Sequence, residues 1–266
     1  MHPMNDHAGS GAPVPTLFLL CQNMRAADQS WLGHILSQYG FLDDGDDGIA
    51  HIFPINAQHW GTSIGVTGGP VAAQMLREQA QLGAASLAGL DIVPDMQRCD
   101  VVALSLQRLP ATARAQAVQR LAFMAATLCE VVQASAMFWP PAQLWSNPND
   151  LAAAVIAMEE QGLPPLLHFV AFAYLLADKT DVAGEHGIST HGLAWMVGQE
   201  IEVMAPLTLA NPEILRRCAR LAVDVMVKGA YAGPMEVAGL SRGEVLSIAA
   251  VDQSGPVGIV RAKIVI

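Results

Sequence analysis

Residues Gly187–Met204 read GISTHGLAWMVGQEIEVM, and this stretch indicates more about the fold than any other part of the chain. Its second half alternates acidic and apolar residues from Glu200 to Val203, the period of a half-buried β-strand. Its first half contains glycines and His191 and resembles a turn. The stretch therefore predicts a turn that leads into a strand with one acidic and one apolar face.

Two long helices with apolar stripes lie outside this stretch. They are predicted over Ala111–Ser135 and Asn211–Lys228, and Pro212 can open the second. Each helix lies between two predicted strands, so a strand–helix–strand unit occurs at Asp100–Trp139 and again at Glu200–Leu240. Strands and helices do not alternate strictly elsewhere. We predict an α+β protein with mixed or antiparallel sheets covered by long helices, built as two similar halves.

The chain divides by pattern into three parts. Residues 1–15 show no periodicity and predict a mobile tail. Residues 16–162 form an N-terminal α+β half, and residues 163–266 form a C-terminal half that carries the patterned stretch, within one compact unit. Leu166–Leu176 is predicted to be a long buried strand or a pair of strands. The last stretch, Val257–Ile266, alternates partly and predicts a half-exposed antiparallel strand.

Composition limits the classes of function. Of the 266 residues, 52% are hydrophobic and 14% are charged, which is typical of a globular chain with a large core. The net charge of −10 repels phosphate backbones, so no nucleic-acid partner is expected. No apolar run is long enough to cross a membrane, and no signal segment is recognised. The four cysteines lack metal-ligand spacing and predict reduced thiols in a cytoplasmic protein.

The acidic face of the predicted strand is a candidate site. Glu200 and Glu202 project to the same side about 7 Å apart, with His191 in the preceding turn. Such a group could bind a metal or carry out acid–base chemistry. We favour the alternative, in which both carboxylates are largely solvated on the outer face of a strand. Because the chain has no HExxH and no clustered Cys or His, we predict neither a metal site nor a cofactor.

Three tryptophans are candidate binding residues. Trp139 and Trp145 flank the proline-rich sequence after a predicted strand. Trp195 follows the predicted turn that contains His191. Exposed tryptophans often anchor a protein partner. The alternative is that these rings seal the ends of the core.

Part of the patterned stretch resembles a family signature. Thr190–Leu193, Gly198 and Glu200–Val203 resemble the signature of the bacterial domain-of-unknown-function family 4261. In that family a Tyr/Thr-Gly-Leu/Met turn precedes a Phe-Gly-x-Glu-Ile-Glu strand. This chain has Val197 where the family usually has Phe, and its Gly239–Glu244 departs from the family's glycine-rich turn. The resemblance is strongest over residues 165–266. It implies a bacterial cytoplasmic domain and implies no reaction.

The absence of a catalytic motif, the low charged fraction and the acidic balance favour a non-enzymatic binding or interaction protein. One concrete version is a protein that neutralises a basic toxin or effector, because opposite charges speed association. The alternative is a hydrolase or metal-dependent enzyme that uses Glu200, Glu202 and His191. An enzyme should gather these side chains in one concave pocket, whereas a binding protein should present an apolar or acidic surface.

Overall fold

The computed structural model describes residues 15–21, 42–43, 50–54, 63–80, 86–106, 111–175, 185–249, 251–252 and 257–265. Apart from Pro15, the predicted tail lies outside these ranges. The described residues form helices and two mixed sheets, so the predicted α+β class is confirmed. No helix within these ranges is both long enough and apolar enough to cross a bilayer.

Within the described ranges the first sheet has eight strands, and the earliest of them in the sequence lies inside it. Every residue of that strand, Thr16–Cys21, is buried, as expected for a strand covered on both faces. All neighbouring strands are antiparallel except Ser86–Ala88 and Leu144–Ser146, which are parallel. Across the sheet the order is β2 (Leu42–Asp43), β3 (Ala50–Pro54), β4 (Ser63–Gly68), β6 (Asp100–Leu106), β1 (Thr16–Cys21), β7 (Ala134–Trp139), β8 (Leu144–Ser146) and β5 (Ser86–Ala88).

Helices cover both faces of this sheet. Helix α1 (Gly69–Gln79) packs its buried Ala72 and Leu76 against the face that carries Phe18 and Leu20. Helices α2 (Ala111–Val131) and α3 (Pro148–Gln161) pack against the opposite face. Alternate residues of β1 therefore belong to two different apolar layers.

Six strands of the described chain form the second sheet. Their order is β12 (Met235–Ala238), β13 (Val245–Ile248), β14 (Gly258–Val265), β11 (Gln199–Pro206), β10 (Glu185–His191) and β9 (Ala171–Leu175). The short helix α4 (Leu193–Val197) lies between β10 and β11, and α5 (Asn211–Lys228) packs against the sheet. Strand β14 is antiparallel to β13, as predicted, but parallel to β11. The parallel pair arises because α5 returns the chain to β12, and two antiparallel pairings then restore the direction of β11.

Both predicted strand–helix–strand units are present, but the strands that lie between the two strands of each unit differ. In the first, β6 and β7 are separated by the earlier strand β1. In the second, β11 and β12 are separated by the later strands β13 and β14. One continuous apolar core joins them, because residues of both sheets, α2, α3 and α5 belong to the same buried cluster.

Local details shift some of the predicted bounds. Helix α2 ends at Val131 because Gln133 adopts a left-handed conformation with φ 49°, and β7 begins directly after it. The prediction of one strand or a strand pair over Leu166–Leu176 is wrong for the first residues of this segment: the strand covers only Ala171–Leu175, and Leu176 lies outside the described residues. The adjacent prolines Pro164 and Pro165 lack N–H donors, and a 3-10 turn over Leu166–His168 precedes β9. Most of the predicted stripe residues are buried: Leu121 and Leu128 on α2, Val132 directly after it, and Cys218 and Val225 on α5. Leu215 of α5 is only half-buried.

Candidate functional site

The patterned stretch folds as the hairpin of β10 and β11 with α4 at its tip. Gly192 and Gly198 lie on either side of α4 and have φ values of +91° and +84°. Glycine occupies such left-handed conformations without the steric cost of a Cβ atom. The backbone conformation therefore explains why glycine occurs at both positions of the predicted turn.

The tip of this hairpin packs against the first sheet and helix α2, and so holds the two sheets together. A Cβ atom on Gly192 would lie 2.7 Å from the Cβ of Ala142, so the backbones approach closely. The Trp195 ring packs edge-on against Trp139, with 5.5 Å between the ring centroids. Arg114 of α2 lies over the Trp195 ring and donates a hydrogen bond of 3.1 Å to its carbonyl oxygen. These five residues are called the joint below.

Glu200 supports the joint from inside the hairpin. Its carboxylate accepts hydrogen bonds from the Thr190 hydroxyl at 2.6 Å and from the N–H groups of Gly192 and Ala194 at 2.8 and 3.0 Å. Burial raises the pKa of Glu200, and the three hydrogen bonds act in the opposite direction. The carboxylate thus satisfies N–H groups that the start of a helix leaves unpaired.

Glu202 and His191 have separate partners. Ile201 and Val203 are buried and the two acids are not, as the alternation predicts. Glu202 accepts a hydrogen bond of 2.8 Å from Arg261 on β14, and the exposed His191 lies 3.3 Å from the Ser189 hydroxyl. The expectation that both acids are largely solvated is wrong for Glu200, because its side chain turns back toward the hairpin tip.

No metal centre is formed by these residues. Among the residues that the structure describes, no group of three His, Cys, Asp or Glu side chains could hold a metal ion. Burial also disfavours the thiolate form of three of the cysteines. Burial raises the pKa of Cys21 and of Cys129 to about 12, and it raises the pKa of Cys218 as well. All four cysteines are unpaired.

The tryptophans contribute mainly to packing. Trp139 and Trp145 are fully buried, and Trp145 packs against Phe138 with 4.5 Å between the centroids. Their interpretation as exposed anchors for a partner is wrong, and the alternative of sealing the core is what the structure shows. Trp195 is half-buried and belongs to the joint.

A separate cavity lies where an edge of each sheet meets the other. Its volume is about 610 Å³, within the range of small-molecule sites. It is called the cleft below. The walls come from β5, α3, the segment Leu163–His168, the start of β9 and one residue of α5. The lining is largely apolar and includes Ala154, Ala157, Phe172 and Leu215.

Three exposed leucines lie at the rim of the cleft. They are Leu87 on β5 and Leu163 and Leu167 on the segment Leu163–His168. Sequence reasoning missed this site because its residues come from separate segments, none of which has an unusual local pattern. The one available signal was His168 inside an apolar run.

His168 is the polar residue held deepest in the cleft lining. It is 4% exposed, and its Nδ1 atom has no hydrogen-bond partner. Burial lowers the pKa of His168, while a hydrogen bond with the backbone of Asp150 and the Asp150 carboxylate act in the opposite direction. Asp150 is exposed and also lines the cleft.

Comparisons with known proteins identify no relative. No family model matches the sequence, and neither a curated protein nor a solved structure shows significant similarity to it. The resemblance to family 4261 therefore stays a prediction.

Proposed function

We propose that this chain is a non-enzymatic, cytoplasmic binding protein, and that a basic protein partner docks on the cleft. The observation that carries the proposal is the apolar cleft with three exposed leucines at its rim. An apolar cavity of this size can accept a large side chain of a partner, the arrangement found at interface hot spots.

Exposed acids on one wall of the cleft support a basic partner. Helix α3 forms this wall and exposes Glu159 and Glu160, and Asp150 of the same helix is exposed and lines the cleft. Opposite charge on the partner would speed encounter and orient it. A toxin or effector neutralised by this protein is one version of such a partner.

The contacts of the predicted acidic site give the enzyme alternative less support. Glu200 is engaged at the hairpin tip, Glu202 pairs with Arg261, and His191 lies beside Ser189. None of the three predicted catalytic residues lines the cleft.

The proposal is tested by filling the cleft. Ala157→Trp places an indole in the cleft, and Ala152→Trp makes the same change at an exposed position of α3 that does not line it. Tagged wild type and both variants would be used for affinity purification from the host, with mass spectrometry as the readout. We expect a basic protein that wild type and Ala152→Trp retain, that Ala157→Trp loses, and that is released as salt is raised. If Ala157→Trp retains every protein that wild type retains, the proposal is wrong.

A further inference from the structure

Strand β5 has an open edge, at which the backbone groups of one residue point away from the sheet. β5 is the end strand of the first sheet, and in the described chain it pairs only with β8. The Ser86 N–H donates to the Gln143 carbonyl at 2.9 Å, and the Ala88 carbonyl accepts from the Asn147 N–H at 3.0 Å. Because the backbone groups of successive strand residues point to alternate sides, the N–H and C=O of Leu87 point away from β8. Among the described residues, neither group has a hydrogen-bond partner.

The cleft reaches this open edge. In the parallel register Ser86 lies opposite Leu144, and these two residues and Ala88 line the cleft from one face of the sheet. Leu87 lies opposite Trp145, whose side chain is buried in the layer that covers the other face. Since side chains alternate between the two faces, a cleft that also contacts Leu87 extends around the edge of the strand. A ligand in the cleft can therefore meet the N–H and C=O of Leu87.

These backbone groups suit an extended chain. A strand that is added to a sheet pairs with the free donors and acceptors of the edge strand, and its alternate side chains then face one wall. On the side of α3 that wall contains Ala154 and Ala157, whose small side chains leave room for a large apolar group. The exposed Asp150, Glu159 and Glu160 of α3 favour basic residues beside that group.

From this geometry we propose that an extended segment of the protein partner adds to the first sheet alongside β5. The backbone of the segment pairs with the N–H and C=O of Leu87, one apolar side chain enters the cleft, and Lys or Arg residues flank that side chain. The inference rests on the proposed function for the cleft as the docking site. It adds the conformation and the chemistry of the segment that docks.

Amide hydrogen exchange of the full chain, resolved by NMR spectroscopy, tests whether the edge is open. We expect the N–H of Leu87 to exchange at least about 10-fold faster than that of Ser86, because only Ser86 donates to a neighbouring strand. Equal protection of the two amides would show that the edge is already covered and would overturn the proposal. Protection of Leu87 that rises with protein concentration would overturn it as well, since a second copy of the chain would then occupy the edge.

A selected peptide serves as the probe for strand addition. A phage-displayed library of five random residues between pairs of lysines would be selected for peptides that wild type and Ala152→Trp bind and Ala157→Trp does not. The tightest peptide would then be synthesised with one N-methylated amide at a time. Methylation of the amide that faces Leu87 should weaken binding by about 5–10-fold, and methylation of the amides on either side by less than about 2-fold. This alternation is the signature of a paired strand.

Two substitutions at Leu87 assign the pairing to β5. Leu87→Pro removes the N–H group at the open edge and keeps the bonds that Ser86 and Ala88 make with β8, and proline is tolerated on edge strands. Leu87→Val shortens the side chain but keeps the N–H group. We expect the proline variant to bind the selected peptide about 5–10-fold more weakly than the valine variant, with the Ser86 amide protected in both. If the proline variant fails to fold, the N-methylated peptides on wild type decide the question.

The outcomes distinguish this inference from the proposed function. If the library yields no peptide that Ala157→Trp fails to bind, or if all N-methylated peptides are weakened alike, strand addition is wrong. If Ala157→Trp loses the basic partner but the peptides show no alternation, the proposed function stands and this inference fails. If the peptides alternate and protect the Leu87 amide, but wild type retains no basic protein from the host, the cleft binds an extended segment and the proposed partner is wrong.

Discussion

The hairpin of residues 187–204 has a conspicuous sequence pattern and a structural role, whereas the cleft has no conspicuous pattern and is the candidate binding site. The hairpin has glycines, alternation and a family-like motif, yet its conspicuous residues hold a tight turn and fasten two sheets. The cleft is lined by ordinary residues such as Ala154, Ala157 and Leu215, which come from different elements. A local sequence pattern reflects the conformation and burial that one segment of backbone needs. A surface formed by residues from distant segments can arise without any such pattern.

The strongest test of the joint is the truncation of Trp139. Its ring is buried and lies 5.2 Å from Phe169 and 5.5 Å from Trp195, between centroids. We expect Trp139→Ala to lower the free energy of unfolding by about 3–5 kcal/mol, because a large buried ring is lost. Urea unfolding followed by circular dichroism measures this. Phe123→Ala, at a side chain 45% exposed on α2, should cost less than about 1 kcal/mol, and equal losses would contradict the assignment.

A pair of glycine substitutions separates close packing from backbone conformation. Gly192→Ala meets both a positive φ and Ala142, so we expect a loss of about 2–4 kcal/mol in the free energy of unfolding. Gly198→Ala meets a positive φ but open space, and about 1–2 kcal/mol is expected. Thermal and urea unfolding of both variants give the comparison. Equal destabilisation would show that contact with Ala142 does not restrain the tip.

The pH dependence of the free energy of unfolding tests whether Glu200 is buried as described. We expect a smaller change than for the glycine substitutions. Burial raises its pKa in the folded protein, so its contribution is fully present below the unfolded pKa of about 4.3 and declines as pH rises. Wild type should therefore lose stability relative to Glu200→Gln between about pH 4 and pH 7. Urea unfolding at several pH values measures this difference.

Glu244 provides the control of opposite sign. The Arg217 guanidinium, 2.6 Å away, lowers the pKa of Glu244 to about 2. Its contribution is present above about pH 4.3 and is lost as pH falls through that range toward 2. Relative to Glu244→Gln, wild type should gain stability as pH rises from about 2 to 5. If both glutamates give differences of the same sign, the assigned surroundings are wrong.

The smallest stability effect is expected at the rim of the cleft. Leu167 is 59% exposed, so Leu167→Ser should change the free energy of unfolding by less than about 0.5 kcal/mol. It should nevertheless weaken retention of the basic partner in the affinity experiment, because Leu167 contributes apolar contact at the cleft. Leu207 is 60% exposed and does not line the cleft, so Leu207→Ser should change neither quantity. Equal retention by the two variants would argue against Leu167 as part of the binding surface.

The fold class and the long helices could be predicted because their signals are local. The stripe of Leu121 and Leu128 repeats at helical spacing, and burial follows from it. Strand partners could not be predicted in the same way. Alternation in β14 shows which side chains share a face, but it does not show that one neighbour is β11 and runs parallel.

The candidate site was predictable only in part. Alternation correctly placed Ile201 and Val203 inside, but it could not show that the Glu200 side chain reaches the N–H groups of Gly192 and Ala194. Those groups are fixed by the conformation of the hairpin tip. His168 could be identified as a buried histidine, whereas its unpartnered Nδ1 and its place beside Asp150 depend on how α3 packs.

The placement of the outermost strands of the sequence has a consequence for biosynthesis. Thr16 of β1 lies 2.9 Å from Ser105 of β6, side chain to side chain, although 89 residues separate them along the chain. Strand β14 likewise joins β11 to β13 within the second sheet. A ribosome therefore releases β1 long before its partner exists, and it releases β11 well before β14. Each sheet closes through pairings of high contact order, which favours slow folding and a period of dependence on chaperones during translation.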